Sequence, residues 1–478
     1  MIQLDLIIIA PLVLAAVCAV VGSRTSGLAR WFGLGAPLIQ GLLLLSLRSS
    51  GVFSGETITG AGGTSGLWSL LSDGLSGPLL ALTVLVGLMA VSASWTISSR
   101  EGGHFALLGL LQAAVAAVFL ADNIILFYIA WESVLVPMFL LIGGWGSSGG
   151  PRAAIKFLLY TFAGGAVLLV GIIYAIVVSG SDSISATSAA GGAGNGGSVV
   201  FWLLAIGFLV KLPAVPLHTW LPDAHTEAPT AGSIVLAGVL LKMGGYGLIR
   251  IALPYAPSGF SAAAPVLAAL GLVGILWGAS TALVQTDLKR LVAYSSVAHM
   301  GFVLLAVSVA TPESLGAALV TMVSHGLVAG LLFYLVGALY GRAHTRELSR
   351  FGGLGSVAPR WATAFVFACF ASAGLPGLSG FPGEYVALVE AFGVYGGWML
   401  VAGLGVVLAA AYNLRSVRVT VQGPVGSVSE VDDLDLHESA TSAVTAALIV
   451  VLGIMPWIVT VAATPTLNSV AQFVGRGV

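Results

Sequence analysis

Charged side chains occur in this sequence where charge is costly. Glu132 lies in a run without another charge from Asn123 to Gly146, Lys211 closes VVFWLLAIGFLVK, Lys242 sits in SIVLAGVLLKMGGYG, and Glu384 follows GLPGLSGFPG. Three histidines, His218, His299 and His325, fall in or at the ends of apolar stretches and add groups that titrate near physiological pH. An ionised side chain at the centre of a bilayer helix costs roughly 2.5–3.5 kcal/mol even on the insertion scale, so such residues are usually paired or line a wet path. Apolar surroundings disfavour a charged lysine and a nearby carboxylate opposes them, so a Glu132 and Lys211 pair could be tipped between protonation states. The plainer readings are a static ion pair holding helices together and, for His299, a histidine satisfied by a neighbouring helix.

The elements that carry these groups follow from composition. The 478 residues are 58% hydrophobic and 8% charged, against about 25% charged in an ordinary soluble domain, which excludes a water-soluble fold. A hydrocarbon core about 30 Å thick needs roughly 20 apolar residues per helix. Fourteen such stretches are expected: 4–21, 28–47, 77–95, 104–120, 123–143, 155–178, 200–221, 229–253, 262–285, 288–310, 315–340, 361–392, 398–417 and 442–461. They are continuous rather than alternating, so the fold class is an all-α polytopic membrane protein and not a barrel. The first span has no preceding Lys or Arg and no cleavage signal, and reads as a retained helix. Cys18 and Cys369 lie inside spans far apart, which suggests packing rather than a disulfide or a metal site.

Positive charge in short loops marks the cytoplasmic side, and sorting the 18 Lys and Arg tests the count. With both termini outward, thirteen fall in inner loops: Arg24, Arg30, Arg100, Arg152, Lys156, Lys289, Arg290, Arg342, Arg346, Arg350, Arg360, Arg415 and Arg418. Three, Arg48, Arg250 and Arg476, fall outside. The stretches 49–74 and 180–198 are expected to be flexible outer loops, and 430–438 a solvated acidic inner loop.

Two spans are broken in matching ways. The seventh contains KLPAVPLHTWLP and the twelfth GLPGLSGFPGEY, where Pro213, Pro216, Pro376 and Pro382 remove backbone donors. Interrupted helices in corresponding positions point to inverted repeats with ion sites at the breaks. The expected organisation is a three-helix segment at 1–100, a first five-helix repeat at 101–254, a second at 255–420, and the acidic loop with a last helix at 421–478.

The motifs WESVLVPMFLLIGGWG, KLPAVPLHTWLPDAHTEAPTAGSIVLAGVLLKMGGYGLIR, TDLKRLVAYSSVAHMGF and GLPGLSGFPGEY resemble those of the antiporter-like subunits of respiratory complex I. Within that group HTWLPDAHTEAPTAGS and GRAHTREL are most similar to chain M, the counterpart of NADH dehydrogenase subunit 4. The resemblance covers roughly residues 70–420 and implies fourteen helices with two inverted five-helix repeats. It implies a proton path in which Glu132 pairs with Lys211, Lys242 passes the proton to His325, and Glu384 is the outward exit; His218 and His299, read from their place in the spans, are further relay candidates. It also implies a bacterial inner membrane location beside neighbouring antiporter-like subunits of the membrane arm, with NADH, FMN, iron-sulfur clusters and quinone held by partner subunits.

The chain itself has no cysteine set for iron-sulfur ligation, and GGAGNGG falls in an expected outer loop rather than between a strand and a helix, so no redox site is expected here. The leading expectation is a proton-translocating subunit of NADH:quinone oxidoreductase. The alternatives are a subunit of a multi-chain sodium/proton antiporter or of a membrane-bound ion-pumping hydrogenase, which share the fold. A free-standing solute transporter would show a cavity lined by varied polar groups, and a scaffold would not need the buried charges.

Overall fold

The computed structural model describes residues 2–22, 27–47, 57–60, 66–189, 197–428 and 431–476. Arg24, Arg48, Glu430, the side chain of Arg476 and residues 190–196 of the expected outer loop lie outside them. Two helices open the chain, α1 (Ile2–Val21) and α2 (Ala29–Ser46), followed by α3 (Ser76–Ala93), α4 (Glu101–Leu120), α5 (Ile124–Ser133), α6 (Leu135–Trp145), α7 (Gly150–Ser179) and the short α8 (Ile184–Ala189). Next come α9 (Gly197–Lys211), α10 (Trp220–Glu227), α11 (Thr230–Val235), α12 (Leu241–Gly247), α13 (Leu253–Tyr255), α14 (Pro257–Leu283), α15 (Leu288–Val309) and α16 (Pro312–Ala343). The chain ends in α17 (Leu354–Val357), α18 (Pro359–Ser372), α19 (Gly380–Tyr395), α20 (Leu400–Thr420), α21 (Leu436–Ile454) and α22 (Trp457–Arg476). Among the described residues eleven helices are long and apolar enough to cross a membrane, and the one sheet is a pair of two-residue antiparallel strands, β1 (Ile58–Thr59) and β2 (Leu71–Ser72). The protein is thus a polytopic helical membrane protein.

Helix α16 forms the centre: it is hydrophobic on every side and its best apolar window is wholly buried, as an all-round apolar helix inside a bundle must be. By contrast α7 exposes Ile155, Leu159, Phe162, Val170, Ile173 and Val177 along one face. Small residues set the tightest packing. A Cβ on Gly278 of α14 would stand 2.5 Å from the Ala298 backbone nitrogen of α15, so these two backbones meet at a distance only glycine allows.

The breaks fall where the prolines require them. The seventh expected span ends as a helix at Lys211 and resumes at Trp220, and the twelfth stops at Ser372 and resumes at Gly380. In the fifth, Pro137 has no N–H for the Ser133 carbonyl, and the helix divides at Val134 into α5 and α6. Around Lys242 the helix widens into π turns at Leu236–Leu240 and Leu248–Ala252.

Three expectations change. The span expected at 442–461 is two helices, because Pro456 turns the chain between α21 and α22; α22 then packs on α16, α14 and α13 instead of continuing. The stretch after Gly180, expected to be a flexible outer loop, is not simply flexible: Asp122 accepts from the Ser185 backbone at 2.9 Å and Asn123 donates to Asp182, pinning α8. The acidic stretch is not merely solvated. Asp433 accepts from the backbone N–H groups of Arg360 and Trp361 at the start of α18, Asp435 and Glu438 form a capping box on α21, and Glu438 pairs bidentately with Arg342.

Candidate functional site

Lys211 is the last residue of α9, where free helical carbonyls favour a cation. The proline-broken segment follows at once, so the ammonium turns inward and is only 3% exposed. It donates to the Trp131 carbonyl at 3.3 Å and sits 3.9 Å from the centre of the Trp131 ring. That cation-π seat holds it one residue away from the expected partner. Glu132 makes no ion pair within 4.0 Å among the described residues, and its buried Oε1 lies against Gly165 of α7 without a hydrogen-bond partner in the protein. The resemblance implies that Glu132 pairs with Lys211, and whether the two are in contact at rest was open from the sequence; here the ammonium is seated on Trp131 instead of in an ion pair with Glu132.

Lys242 is wholly buried on α12. The π turn before it lets Leu241 N–H reach back five residues to the Leu236 carbonyl, and the Ala237 carbonyl accepts from the Lys242 ammonium. The same ammonium lies 2.6 Å from His325 Nδ1 on α16. When the ammonium donates to Nδ1, a neutral imidazole carries its proton on Nε2. The His325 ring stands 5.4 Å from that of His299 on α15, centre to centre and tilted by 55°, with no direct hydrogen bond between them. His299 Nδ1 meets Glu384 Oε1 on α19 at 2.5 Å, and its Nε2 is 3.3 Å from Ser372 Oγ at the end of α18. The helix break between Ser372 and Gly380 thus places one polar group on each side of His299. Four of the expected residues, Lys242, His325, His299 and Glu384, come together; Glu132 and Lys211 form a second locus.

His218 takes a different place. It sits between α9 and α10, accepts from Trp277 Nε1 at 3.2 Å, and is 6.4 Å from the Tyr294 ring, with no hydrogen bond to Lys211, Lys242 or His325. Sequence reading passed over three residues. Trp131 seats Lys211. His225 is fully buried, stacked on Phe333 at 4.5 Å, with both ring nitrogens lacking a protein partner. Lys289, counted among loop cations, is 5% exposed and donates to the Ala228 carbonyl. His225 had a weak signal in HTWLPDAHTEAP, seven residues beyond His218, whereas a lysine in the first turn of a helix gives no sign that a neighbouring loop covers it. A cavity of about 480 Å³ reaches Lys289 and is lined also by Ser94, Glu227, Arg342, His437 and Glu438. Among the described residues no cluster of three or more His, Cys, Asp or Glu is placed to hold a metal ion.

The loops expected inside are tied to one another at one end of the bundle, through Lys156 with Asp223, Arg290 with Asp223, Arg346 with Asp287 and Arg342 with Glu438. At the other end Arg250 pairs with Asp73 at 2.5 Å, and Thr466 of α22 donates to the same carboxylate.

Comparison with known proteins agrees with this architecture. The chain is 37% identical to NADH-quinone oxidoreductase subunit M of Rhodobacter capsulatus over 98% of its length and 96% of that protein. It is 41% identical to subunit M of Pseudomonas aeruginosa over 85% of its length and 82% of that protein. In structure it is similar to a chain of respiratory complex I from Thermus thermophilus with bound NADH, at a TM-score of 0.88 and 29% identity, covering 99% of this chain and 100% of that one. A chain of the Mrp complex from Dietzia shares the fold at the same TM-score, 0.88, but at 19% identity, over 98% of each chain. Residues 121–409, which include every member of both loci, match the family described as NADH:quinone oxidoreductase/Mrp antiporter, TM, and the chain belongs to that family.

Proposed function

We propose that this chain is a proton-translocating subunit in the membrane arm of a bacterial NADH:quinone oxidoreductase, driven by quinone reduction in other subunits. The observation that carries this reading is the buried series Lys242, His325, His299 and Glu384, joined by contacts of 2.6 Å and 2.5 Å with one gap between the two histidines. Buried proton-carrying groups in contact are what a relay requires, and a scaffold would not bear their cost. The name NADH-quinone oxidoreductase subunit M, carried by relatives, supports the assembly; in this reading the redox cofactors NADH, FMN, iron-sulfur clusters and quinone belong to partner subunits, and this chain sits beside other antiporter-like subunits.

Fourteen crossings complete the architecture. To the eleven helices are added α2, the broken pair α9 and α10, and a division of the apolar run Gly380–Thr420 at Gly396–Met399. Spans four to eight and nine to thirteen are the inverted repeats, each carrying one break, in an inner membrane with both termini outward. Asp5 of α1 accepts from Trp68 beside the loop that α22 covers, which supports a shared side for the two ends. In the mechanism Lys211 leaves its Trp131 seat to approach Glu132 or returns to it, changing its proton affinity, and this displaces a proton from Lys242 through His325 to Glu384. The test is Lys211→Ala and Glu132→Ala in the assembled complex, with proton pumping measured against electron transfer. The expected result is pumping reduced about tenfold or more; normal assembly with unchanged pumping overturns the reading.

A further inference from the structure

The relay has a gap, and one unassigned side chain faces it. The His299 and His325 rings lie 5.4 Å apart, centre to centre, without a hydrogen bond between them, and His325 Nε2, the nitrogen that carries the proton when Lys242 engages Nδ1, has no hydrogen-bond partner in the protein. One helical turn earlier on α16, Thr321 Oγ1 is also without a partner although the residue is only 4% exposed. Among the described buried threonines inside helices only Thr187, in the short α8, shares this. Those of the long helices bond their own backbone four residues back: Thr83 to Leu79, Thr161 to Phe157, Thr420 to Ser416 and Thr445 to Thr441. Thr321 instead turns its hydroxyl away from the Ala317 carbonyl toward α19. A Cβ on Gly383 would stand 2.4 Å from that oxygen, so the glycine preceding Glu384 is what admits it.

Both orphaned atoms belong to residues lining one small cavity, whose wall also includes His299, Glu384, Ser324 and Ser372. The space open to a water's centre is about 10 Å³, close to the roughly 10–15 Å³ that one water needs. A buried water requires two to four polar partners, and the wall supplies a donor at His325, a hydroxyl at Thr321 that can donate or accept, and the carboxylate of Glu384.

We infer that this cavity is a binding site for a single water that bridges His325 to the His299 and Glu384 pair, and that Thr321 is its positioning residue. The inference rests on the relay reading above. In the step it serves, Lys242 gives a proton to His325 Nδ1 as Nε2 releases its own to the water and the water passes one to the Glu384 carboxylate, so the imidazole stays neutral with its proton on Nδ1. Two N–H bonds and one O–H bond break and one N–H and two O–H bonds form, with no net change on the water. Thr321 gains and loses nothing; its hydroxyl fixes where the water sits.

The experiment compares Thr321→Val, which keeps the shape and removes the hydroxyl, with Thr321→Ser, which keeps the hydroxyl, in the whole complex, with Lys211→Ala beside them as the reference. Expected is a pumping rate reduced roughly tenfold in Thr321→Val, the loss of one hydrogen bond at a proton-transfer step, near-normal pumping in Thr321→Ser, and a larger solvent deuterium isotope effect on pumping in the valine variant. A purely structural role would alter assembly without changing the isotope effect. If Lys211→Ala stops pumping while Thr321→Val pumps normally with an unchanged isotope effect, the water site is overturned and the relay stands. If Lys211→Ala also pumps normally, the relay reading itself has failed. Should Thr321→Val assemble poorly, Thr321→Ala and a high-resolution map of the native complex decide: no water within hydrogen-bonding distance of His325 Nε2 overturns the proposal.

Discussion

The two broken spans begin from the same chemistry and end in different states. In each, prolines stop a helix inside the bundle and leave an ionisable group beside the stop, Lys211 at the end of α9 and Glu384 in the second turn of α19. Glu384 is held in contact: His299 is on it at 2.5 Å, and Ser372 from across the break steadies the far side of the imidazole. Lys211 is held off contact, on an indole face and a carbonyl, with Glu132 unpartnered one residue away. A fixed hydrogen bond suits a group that must conduct whenever a proton arrives. A cation seated on an aromatic ring suits a group that must move, because a cation-π contact is worth only about 0.5–2 kcal/mol and can be exchanged for a carboxylate. In the proposed mechanism the difference is that between a wire and a switch.

That contrast is broken most severely at the start of the wire. Lys242→Ala removes the only group within hydrogen-bonding distance of His325 Nδ1 among the described residues, and the expected outcome is loss of pumping by about two orders of magnitude, the scale of one general acid-base group. Lys242→Arg is expected to fare as badly, since a guanidinium keeps its proton at every accessible pH. The measurement is proton uptake by vesicles holding the assembled complex, normalised to quinone reduction. Pumping within a factor of about two of normal would show that the contact of Lys242 with His325 is structural.

A smaller effect is expected at the switch. Trp131→Leu keeps bulk at the site but removes the ring beneath Lys211, so the ammonium should settle toward Glu132. With about 1 kcal/mol of seat lost, the expected change in pumping rate is roughly fivefold, and the Lys211 to Glu132 distance in a map of the variant should fall into the ion-pair range. A variant that pumps normally with Lys211 still beside residue 131 would remove the indole from the mechanism and return Lys211 to a fixed ligand of a backbone carbonyl.

Much of the two loci was legible in the sequence because charge in an apolar run is conspicuous: Glu132, Lys211, Lys242 and Glu384 are visible before any coordinates. The breaks were legible for the same reason, since proline has no N–H wherever it stands. What was not legible depends on neighbours distant in sequence. Trp131 is an ordinary aromatic in an aromatic-rich run until α9 brings Lys211 over it. Thr321 is one hydroxyl among many until its failure to bond its own helix is seen. Lys289 looks like a loop cation, and only the approach of the Ala228 carbonyl shows it covered. The last helix was misjudged because hydropathy carries on through Pro456 while the backbone does not.

The smallest expected effect lies where the second broken span starts, and it separates anchoring from conduction. The first break's helix, α9, begins by packing Gly197 onto Gly259, whereas α18 begins with a carboxylate: Asp433 Oδ2 and Oδ1 each accept one backbone N–H, from Arg360 and Trp361, both at 2.9 Å. Partial burial raises the Asp433 pKa, but the backbone N–H groups of Arg360, Trp361 and Leu434 and the Arg360 charge more than offset this, and the carboxyl is held below its ordinary value of 3.8. A group depressed on folding stabilises the native state above its unfolded pKa and loses that contribution as pH falls through the folded value. Protection of the Arg360 and Trp361 amides from hydrogen exchange, corrected for the intrinsic rate, should therefore be constant from neutral pH down to the ordinary carboxylate range and decline below it. Asp433→Ala should lower that protection by about 1 kcal/mol at neutral pH, the worth of a helix N-cap, and flatten its pH dependence. Pumping should be untouched, because Ser372 and the break lie at the opposite end of α18. If pumping falls together with amide protection, the start of α18 is coupled to His299 through the helix, and the second break is a movable element like the first.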